Sequence, residues 1–176
     1  MTNPQLFEDQ FKAGLDVLVA SEATRLAQIQ ITGIPAIYWL WVARRNDFSC
    51  WFLVWPFGDV CQSLLANATT DCVSSTSRND PDNDYPNETQ ACTDRKLFHR
   101  AIRDDYNSRL SNVTDQYREA GLLPNARYVD IFDVQFSSSD VSGADCFHPS
   151  VEGHAKLAQE AWCRTHWGIN HALCTN

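Results

Sequence analysis

Apolar residues near the N-terminus repeat with the period of a helix. The repeat has spacings of four, four and three residues, and its members are Phe7, Phe11, Leu15 and Leu18. Asn3 and Pro4 precede it, and these residue types favour the N-cap and the first position of a helix. The pattern predicts an amphipathic helix that begins at Pro4. The apolar residues 27–33 predict a following strand, because Gly33 and Pro35 end the stretch.

A second series of elements occupies the C-terminal half. An apolar repeat with helical spacing predicts a long helix from Thr93 to Gly121. Residues 127–133 predict a second strand, and a last helix begins near Ser150. The buried face of the long helix is expected to hold Ile102, Tyr106, Leu110, Val113 and Tyr117, and that of the last helix Leu157, Ala158 and Ala161. Alternating strands and helices predict an α/β domain with a parallel sheet and helices on both faces.

Two further segments lie between these elements. Residues 38–57 are rich in aromatic side chains, which we interpret mainly as core, with a covering lid or an acyl-binding wall as alternatives. Residues 73–90 are polar and rich in turn residues, and they predict a solvated loop insertion. The acidic residues of this loop lack the spacing of a calcium-binding EF-hand.

Length and charge exclude several classes of function. A chain of 176 residues predicts a single domain, 1–176, that is large enough for a core. The net charge is -8, with 14 Lys+Arg against 22 Asp+Glu, so we expect no nucleic-acid partner, because phosphate backbones need a basic surface. Every apolar run is too short to span a bilayer, which predicts no stable membrane insertion. The N-terminus also lacks the pattern of a signal peptide.

The cysteines indicate an oxidising compartment. There are seven, and they lack the Cys-x-x-Cys spacing of a zinc site, so disulfides and a secreted or extracellular protein are predicted. Pairs that bracket segments without predicted structure are expected to bond. These pairs are Cys72 with Cys92 and Cys50 with Cys61, and Cys146 with Cys163 is a further pairing without a loop argument. Three Asn-x-Ser/Thr sequons, at Asn67, Asn87 and Asn112, are compatible with export.

A carboxylate precedes an imidazole by three residues near the C-terminus, at Asp145 and His148. Held by a tight turn, such a pair can share a hydrogen bond that fixes the imidazole tautomer and stabilises the imidazolium formed on taking a proton. This spacing can therefore supply the arms of a hydrolase, with His148 as general base and Asp145 as orienting acid in a loop beyond the carboxyl ends of the strands, and a surface-loop histidine is the alternative for His148. Asp130 and Asp133, at the end of the second predicted strand, are the alternative acids.

The residues around this pair form a longer motif, Asp145-Cys146-Phe147-His148-Pro149-Ser150 followed by Gly153-His154. The motif resembles the closing block of SGNH (GDSL-type) esterases and lipases. Residues 29–41 and 58–67 resemble segments of secreted bacterial members of the same family. The resemblance implies an α/β/α sandwich with a parallel, flavodoxin-like sheet. It also implies an ester hydrolase in which Asp145 and His148 are catalytic.

Three other blocks of that family are absent from the sequence. These are the Gly-Asp-Ser block of the nucleophile, the block of the oxyanion-hole Gly, and the Gly-x-Asn-Asp block. The resemblance therefore implies the C-terminal part of an SGNH domain, incomplete at the N-terminus, with the signal peptide in the missing part. The chain alone is expected to be inactive, because it lacks the nucleophile and the oxyanion hole. The segment Gly58-Asp59-Val60-Cys61 does not supply the nucleophile, since Val60 takes the place of the serine. A secreted, non-catalytic domain of the same fold is the alternative.

Metal binding is the competing chemistry for the same residues. Asp145, His148 and His154 have side chains that bind zinc, but their spacing differs from a His-Glu-x-x-His helix and a further ligand would be needed. We therefore predict no metal and no cofactor. Cys146 is expected in a disulfide rather than as a nucleophile. The expected substrate is an acyl ester or a lipid, and the sequence leaves the acyl chain length and the oligomeric state open.

Overall fold

A computed structural model describes residues 3–57 and 71–174, and the chain forms two compact units. The sheet unit comprises Met1–Pro35, Arg103–Phe132 and Gln159–Asn176. The aromatic unit comprises Ala36–Ile102 and Asp133–Ala158. Each unit is assembled from separate stretches of the sequence, so each depends on contacts between residues that are distant along the chain.

Helices make up most of the regular structure in the described residues. The α-helices are α1 (Pro4–Val19), α2 (Glu22–Arg25), α3 (Tyr38–Arg44), α4 (Trp55–Phe57), α5 (Ser75–Asn79), α6 (Gln90–Ala101), α7 (Ser108–Glu119) and α8 (Val151–Cys163). The strands are β1 (Ile29–Thr32) and β2 (Ala126–Val129). Two π-helical turns, Cys50–Val54 and Ile102–Asn107, and two 3₁₀ turns, Ser138–Asp140 and Ala172–Cys174, complete the list.

Helix α1 begins where the sequence predicts it. The side chain of Asn3 accepts a hydrogen bond from the Gln5 N–H at 2.8 Å, which satisfies one of the amides at the helix start. Leu15 is buried from the predicted apolar face, and it packs in the core of the sheet unit against α7 and the region of β2. The buried members of this core are Leu15, Val113, Leu123 and Ala126.

Strands β1 and β2 form a parallel pair in which Ile29 lies opposite Ala126. Parallel strands need a long crossover between them, and here helices supply it, which confirms the α/β class. Strand β2 is shorter than predicted and ends at Val129. The reason is local, because the Asp130 carboxylate accepts the Phe132 N–H at 2.8 Å and turns the chain away from an extended path.

The predicted long helix is divided by a π-helical turn. Thr89 caps the start of α6, and Gly121, with φ +69°, follows the end of α7. The turn Ile102–Asn107 lies between the two helices. Its last residue, Asn107, accepts the Ile34 N–H at 2.7 Å and donates to the Ile34 carbonyl at 2.8 Å. A π turn inserts an extra residue into the helical repeat, so an apolar period alone does not reveal it.

The aromatic segment 38–57 contributes both core and surface. Tyr38 and Trp41 are buried, and the Arg95 guanidinium lies 4.4 Å from the centre of a Trp41 ring. A second buried cluster consists of Leu40, Phe136 and Val141. Phe48 and Phe52 instead stack with ring centres 4.9 Å apart, and both are more than half exposed. The interpretation as core therefore holds for only part of the segment.

The polar segment 73–90 is more ordered than a solvated loop. It contains helix α5, and its Ser77 is completely buried. The Glu88 carboxylate accepts hydrogen bonds from Ser77 and from the ammonium of Lys96, both at 2.5 Å. A disulfide between Cys72 and Cys92 joins the ends of the segment, as predicted. Composition did not predict this order because its source, Lys96, comes from α6.

The other two predicted disulfides are wrong. Cys50 bonds to Cys146, with their Cα atoms 5.5 Å apart, rather than to Cys61, which lies outside the described residues. Cys163 bonds to Cys174 rather than to Cys146. The prediction for Cys50 relied on a short segment without predicted structure, whereas the fold brings together Cys50 and Cys146 across a sequence separation of 96.

Candidate active site

The predicted acid and base lie in residues 141–149, the dyad loop, which is closed at its base. Val141 pairs with Pro149 in an antiparallel bridge, and the Ser142 N–H donates to the His148 carbonyl at 2.8 Å. From α3, the Arg44 guanidinium donates to the Val141 carbonyl at 2.5 Å. Backbone hydrogen bonds and the Arg44 side chain therefore close the base of the loop.

Helix α8 follows the dyad loop and packs closely on the backbone before it. The Ser150 N–H donates to the Asp140 carbonyl at 2.8 Å, and the Ser150 hydroxyl accepts the Gly153 N–H at 3.1 Å. A Cβ at Gly153 would lie 2.0 Å from the Asp140 carbonyl oxygen, so the motif needs glycine there. Further along α8, Ala161 is buried but Ala158 is exposed, which corrects the predicted apolar face.

Three hydrogen bonds hold the carboxylate of Asp145. One oxygen accepts the N–H groups of Phe147 and His148, both at 3.0 Å. The other oxygen lies 2.7 Å from Nδ1 of the His148 ring. A carboxylate that accepts the two amides that follow it forms a local turn, and this turn brings the ring to the second oxygen.

These contacts also set the charge of the pair. Burial by itself raises the pKa of the Asp145 carboxyl, but hydrogen bonds from the Phe147 N–H and from the His148 ring and N–H outweigh it and hold that pKa below its usual value. Asp145 is therefore ionised at neutral pH. An ionised carboxylate requires a proton on the nitrogen that faces it, which leaves Nε2 of neutral His148 as a hydrogen-bond acceptor.

The side chain of His148 is largely open to solvent. The side chain is 68% exposed, and among the residues that the structure describes Nε2 has no hydrogen-bond partner. The Phe147 ring makes an edge contact with the His148 ring, and the two ring centres are 5.4 Å apart. The pair can thus take a proton from a hydroxyl group that approaches from outside the loop.

Asp130 and Asp133 are the alternative acids that the sequence offers, and His154 is a candidate metal ligand. The Asp130 carboxylate bonds to the Phe132 N–H, and neither nitrogen of the His148 ring contacts Asp133 in the part of the chain that the structure describes. His154 is exposed on α8. Across residues 3–57 and 71–174, no group of three or more His, Cys, Asp or Glu side chains is placed to hold a metal ion.

Two residues that the sequence did not connect with the site contact its backbone. Cys50 bonds to Cys146, the residue after Asp145, and the Trp55 indole N–H donates to the Cys146 carbonyl at 3.2 Å. Both residues lie in the aromatic segment 38–57, about 90 residues from the loop. No spacing in the sequence points to these two residues, because their contacts with Cys146 form only in the folded chain.

The profile of a known family, described as GDSL-like Lipase/Acylhydrolase, matches residues 3–161. The match therefore includes both strands and the dyad loop. No curated protein and no solved structure shows a significant match. Within the described residues, every helix is too short or too polar to cross a membrane.

Proposed function

The chain belongs to the GDSL-like lipase/acylhydrolase family, which has the SGNH hydrolase fold, and on this premise we propose that Asp145 and His148 are the acid and base of a serine-dependent ester hydrolase. The observation that carries the proposal is the 2.7 Å contact between Asp145 and Nδ1 of His148, which leaves Nε2 without a hydrogen-bond partner among the described residues. This is the arrangement that a general base needs in acyl transfer.

In the proposed reaction, Nε2 of His148 takes the proton from a serine hydroxyl as its oxygen attacks the carbonyl carbon of an acyl ester. The imidazolium then gives this proton to the departing alkoxide, and an acyl-serine forms. In the second half of the reaction, Nε2 takes a proton from a water molecule as the water oxygen attacks the acyl-serine. The proton passes to the serine oxygen, and the carboxylic acid is released. Asp145 keeps the ring in the required tautomer and stabilises its charge in both halves.

The nucleophile is the part of the proposal that these 176 residues supply least clearly. They contain no Gly-Asp-Ser block and no Gly-x-Asn-Asp block, so we assign the serine and the oxyanion-hole donors to a segment encoded outside this sequence. Donors to the oxyanion are often the largest contribution to acyl transfer, so the chain by itself is expected to hydrolyse esters negligibly. The chemistry needs no cofactor.

The proposed substrates are small acyl esters or lipids, and the proposed location is outside the cell. Three disulfides within the chain support the location, because such bonds persist in oxidising compartments. The strong negative charge supports a substrate other than nucleic acid.

A non-catalytic, secreted domain of the same fold is the second candidate. The absence of the nucleophile block favours it, because a well-formed acid and base would then have no serine to activate. The two candidates differ in the reading frame upstream of Met1. A frame that continues through Gly-Asp-Ser and Gly-x-Asn-Asp supports the enzyme, whereas an independent start with its own export signal supports the non-catalytic domain.

The decisive assay compares the 176-residue chain with the extended reading frame on short-chain nitrophenyl esters. We expect turnover and labelling by a serine-directed fluorophosphonate only for the extended protein. Hydrolysis that resists the fluorophosphonate but stops with a chelator would replace the proposal with metal chemistry. An extended protein that contains both blocks, folds and still hydrolyses no ester would favour the non-catalytic domain.

A further inference from the structure

The residue between the acid and the base has an unusual backbone conformation. Cys146 has φ +58°, in the left-handed region that residues other than glycine seldom adopt. It is also completely buried. Such a conformation persists only where surrounding contacts impose it. The contacts of Cys146 are therefore part of what shapes the dyad loop.

Contacts from the aromatic segment hold Cys146 at both its side chain and its carbonyl. The side chain forms the disulfide with Cys50, which is itself completely buried. The carbonyl accepts the buried Trp55 indole N–H at 3.2 Å. Within the loop, the Cys146 N–H donates to the Ser142 carbonyl at 3.1 Å. Backbone and side chain are thus fixed from separate directions.

The conformation of Cys146 sets the geometry of the pair. The N–H groups of Phe147 and His148, and the His148 ring, all follow Cys146 in the chain. Rotation about its backbone angles therefore moves all three groups relative to the Asp145 carboxylate. At the observed conformation these groups lie 3.0, 3.0 and 2.7 Å from that carboxylate.

From this arrangement we propose that Cys50, Cys146 and Trp55 are positioning residues for the Asp145–His148 pair. They fix the backbone between acid and base, and so they determine which nitrogen of the His148 ring carries the proton. The consequence for turnover rests on the proposed ester hydrolase. The consequence for the imidazole does not, because it concerns the folded 176-residue chain alone.

One other disulfide and one other tryptophan provide matched controls. Cys72 and Cys92 also lie in the aromatic unit, but they join the ends of the polar segment 73–90. Trp51 is adjacent to the Phe48 and Phe52 rings and gives no hydrogen bond to the dyad loop among the described residues. Losing either the control bond or the control ring tests whether a general loss of stability can imitate a loss of positioning.

The first experiment records long-range ¹H–¹⁵N spectra of the histidine rings at a pH where His148 is neutral, with the signals assigned by His148→Gln. The unchanged chain should show the proton on Nδ1. Cys50→Ala with Cys146→Ala should give a mixture of tautomers. Cys50→Ala with Cys146→Gly should restore much of the Nδ1–H form, because glycine adopts positive φ without a side-chain penalty. Cys72→Ala with Cys92→Ala should leave the tautomer unchanged.

Trp55→Phe tests the same device with the disulfide intact, should the cysteine variants fail to fold. It removes the indole donor and keeps an aromatic ring, so we expect a smaller shift toward the mixture, while Trp51→Phe has no effect. An unchanged Nδ1–H signal in folded Cys50→Ala/Cys146→Ala, or in folded Trp55→Phe if the cysteine variant does not fold, overturns the proposal. A shift of equal size in the Cys72 and Cys92 variant also overturns it.

The second experiment measures steady-state kinetics in the extended protein. Positioning predicts that Cys50→Ala/Cys146→Ala lowers kcat by roughly 10- to 100-fold at nearly constant KM, because the pair acts on the transition state rather than on ester binding. The Cys146→Gly version should recover part of the loss. An extended protein without activity defeats the proposed hydrolase, whereas the tautomer measurements still decide the positioning.

Discussion

Two pairs of a carboxylate with a nitrogen-bearing side chain lie in the aromatic unit, and they have similar distances but opposite surroundings. Glu88 and Lys96 lie 2.5 Å apart with side chains 4% and 0% exposed. Asp145 and His148 lie 2.7 Å apart with side chains 34% and 68% exposed. Distance alone therefore does not distinguish the two pairs, and access to solvent does.

Burial decides what each pair can do. Both members of the Glu88–Lys96 pair have further partners, since Ser77 donates to Glu88 and Lys96 donates to the Asn83 carbonyl at 2.7 Å. This network holds the polar segment on α6, and because both side chains are buried it is not accessible to a substrate. The exposed pair contributes little to stability, because solvent screens it. Its geometry is instead suited to proton transfer.

The largest contrast should come from removing the base. In the extended protein, His148→Ala should lower kcat by at least about 10⁴-fold, because the serine then lacks a group to take its proton at neutral pH. His154→Ala is the control, since that ring is also exposed but does not contact Asp145 in the described structure. Steady-state hydrolysis of a nitrophenyl ester measures both. Equal losses in the two variants would remove His148 from its assigned role.

Changing the acid tests the pair itself. Asp145→Asn should lower kcat by about 10²- to 10⁴-fold while the fold and KM are retained, because the ring loses the charge that fixes its tautomer. Asp133→Asn should have a much smaller effect. A large loss in the Asp133 variant with a nearly unchanged Asp145 variant would exchange the two acids. If both are neutral, His148 acts without an orienting carboxylate.

The free energy of unfolding should depend more on the buried Glu88–Lys96 pair than on the exposed Asp145–His148 pair. Lys96→Met leaves the Glu88 carboxylate buried without its cation and should lower the free energy of unfolding by about 3–5 kcal/mol. Asp145→Asn should lower it by less than about 1 kcal/mol, because the pair is exposed. Urea denaturation followed by circular dichroism measures both. Adding Glu88→Leu to Lys96→Met should recover part of the loss. If Asp145→Asn proves the more destabilising change, the distinction by burial fails.

How much of the structure the sequence predicts depends on whether a feature has a local signal or needs contacts between distant residues. Local patterns predicted the start of α1, the parallel pairing of an α/β fold and the Cys72–Cys92 bond. The spacing of Asp145 and His148 also predicted that the two side chains can share a hydrogen bond, because the turn that joins them is formed by neighbouring residues. The start of α1 and the turn at Asp145 depend on contacts within a few residues. The strand pairing and the Cys72–Cys92 bond join more distant residues, but the alternation of strands and helices and the position of the polar segment between the two cysteines can be seen in a single sequence.

Features that depend on distant contacts were beyond such patterns. The buried environment of Glu88 requires Lys96 from another helix, so composition alone predicted a solvated loop. The bond from Cys50 to Cys146 spans 96 positions, and nothing in local spacing favours it over Cys50 with Cys61. The π turn at Ile102–Asn107 interrupts a repeat that otherwise looks continuous.

The smallest expected effect concerns acid stability. Burial alone would raise the pKa of the Glu88 carboxyl, but its hydrogen bonds with Lys96 and Ser77 outweigh burial and lower that pKa from its ordinary 4.5. A carboxyl whose pKa is lower in the folded than in the unfolded state stabilises the fold above its ordinary pKa. That stabilisation is lost as pH falls through the folded pKa.

The unfolding free energy of the unchanged chain should therefore decrease as pH falls below about 4.5. Glu88→Gln cannot ionise, so its unfolding free energy should decrease less over the same interval, although it starts from a lower value. Asp145 also has a lowered pKa, but its pair is exposed, so Asp145→Asn should follow the unchanged chain more closely. Urea titrations at pH 6 and in steps below pH 4.5 compare the three proteins. Parallel curves for Glu88→Gln and the unchanged chain would mean that the buried pair does not supply the acid sensitivity, and the contrast between the pairs would then rest on accessibility alone.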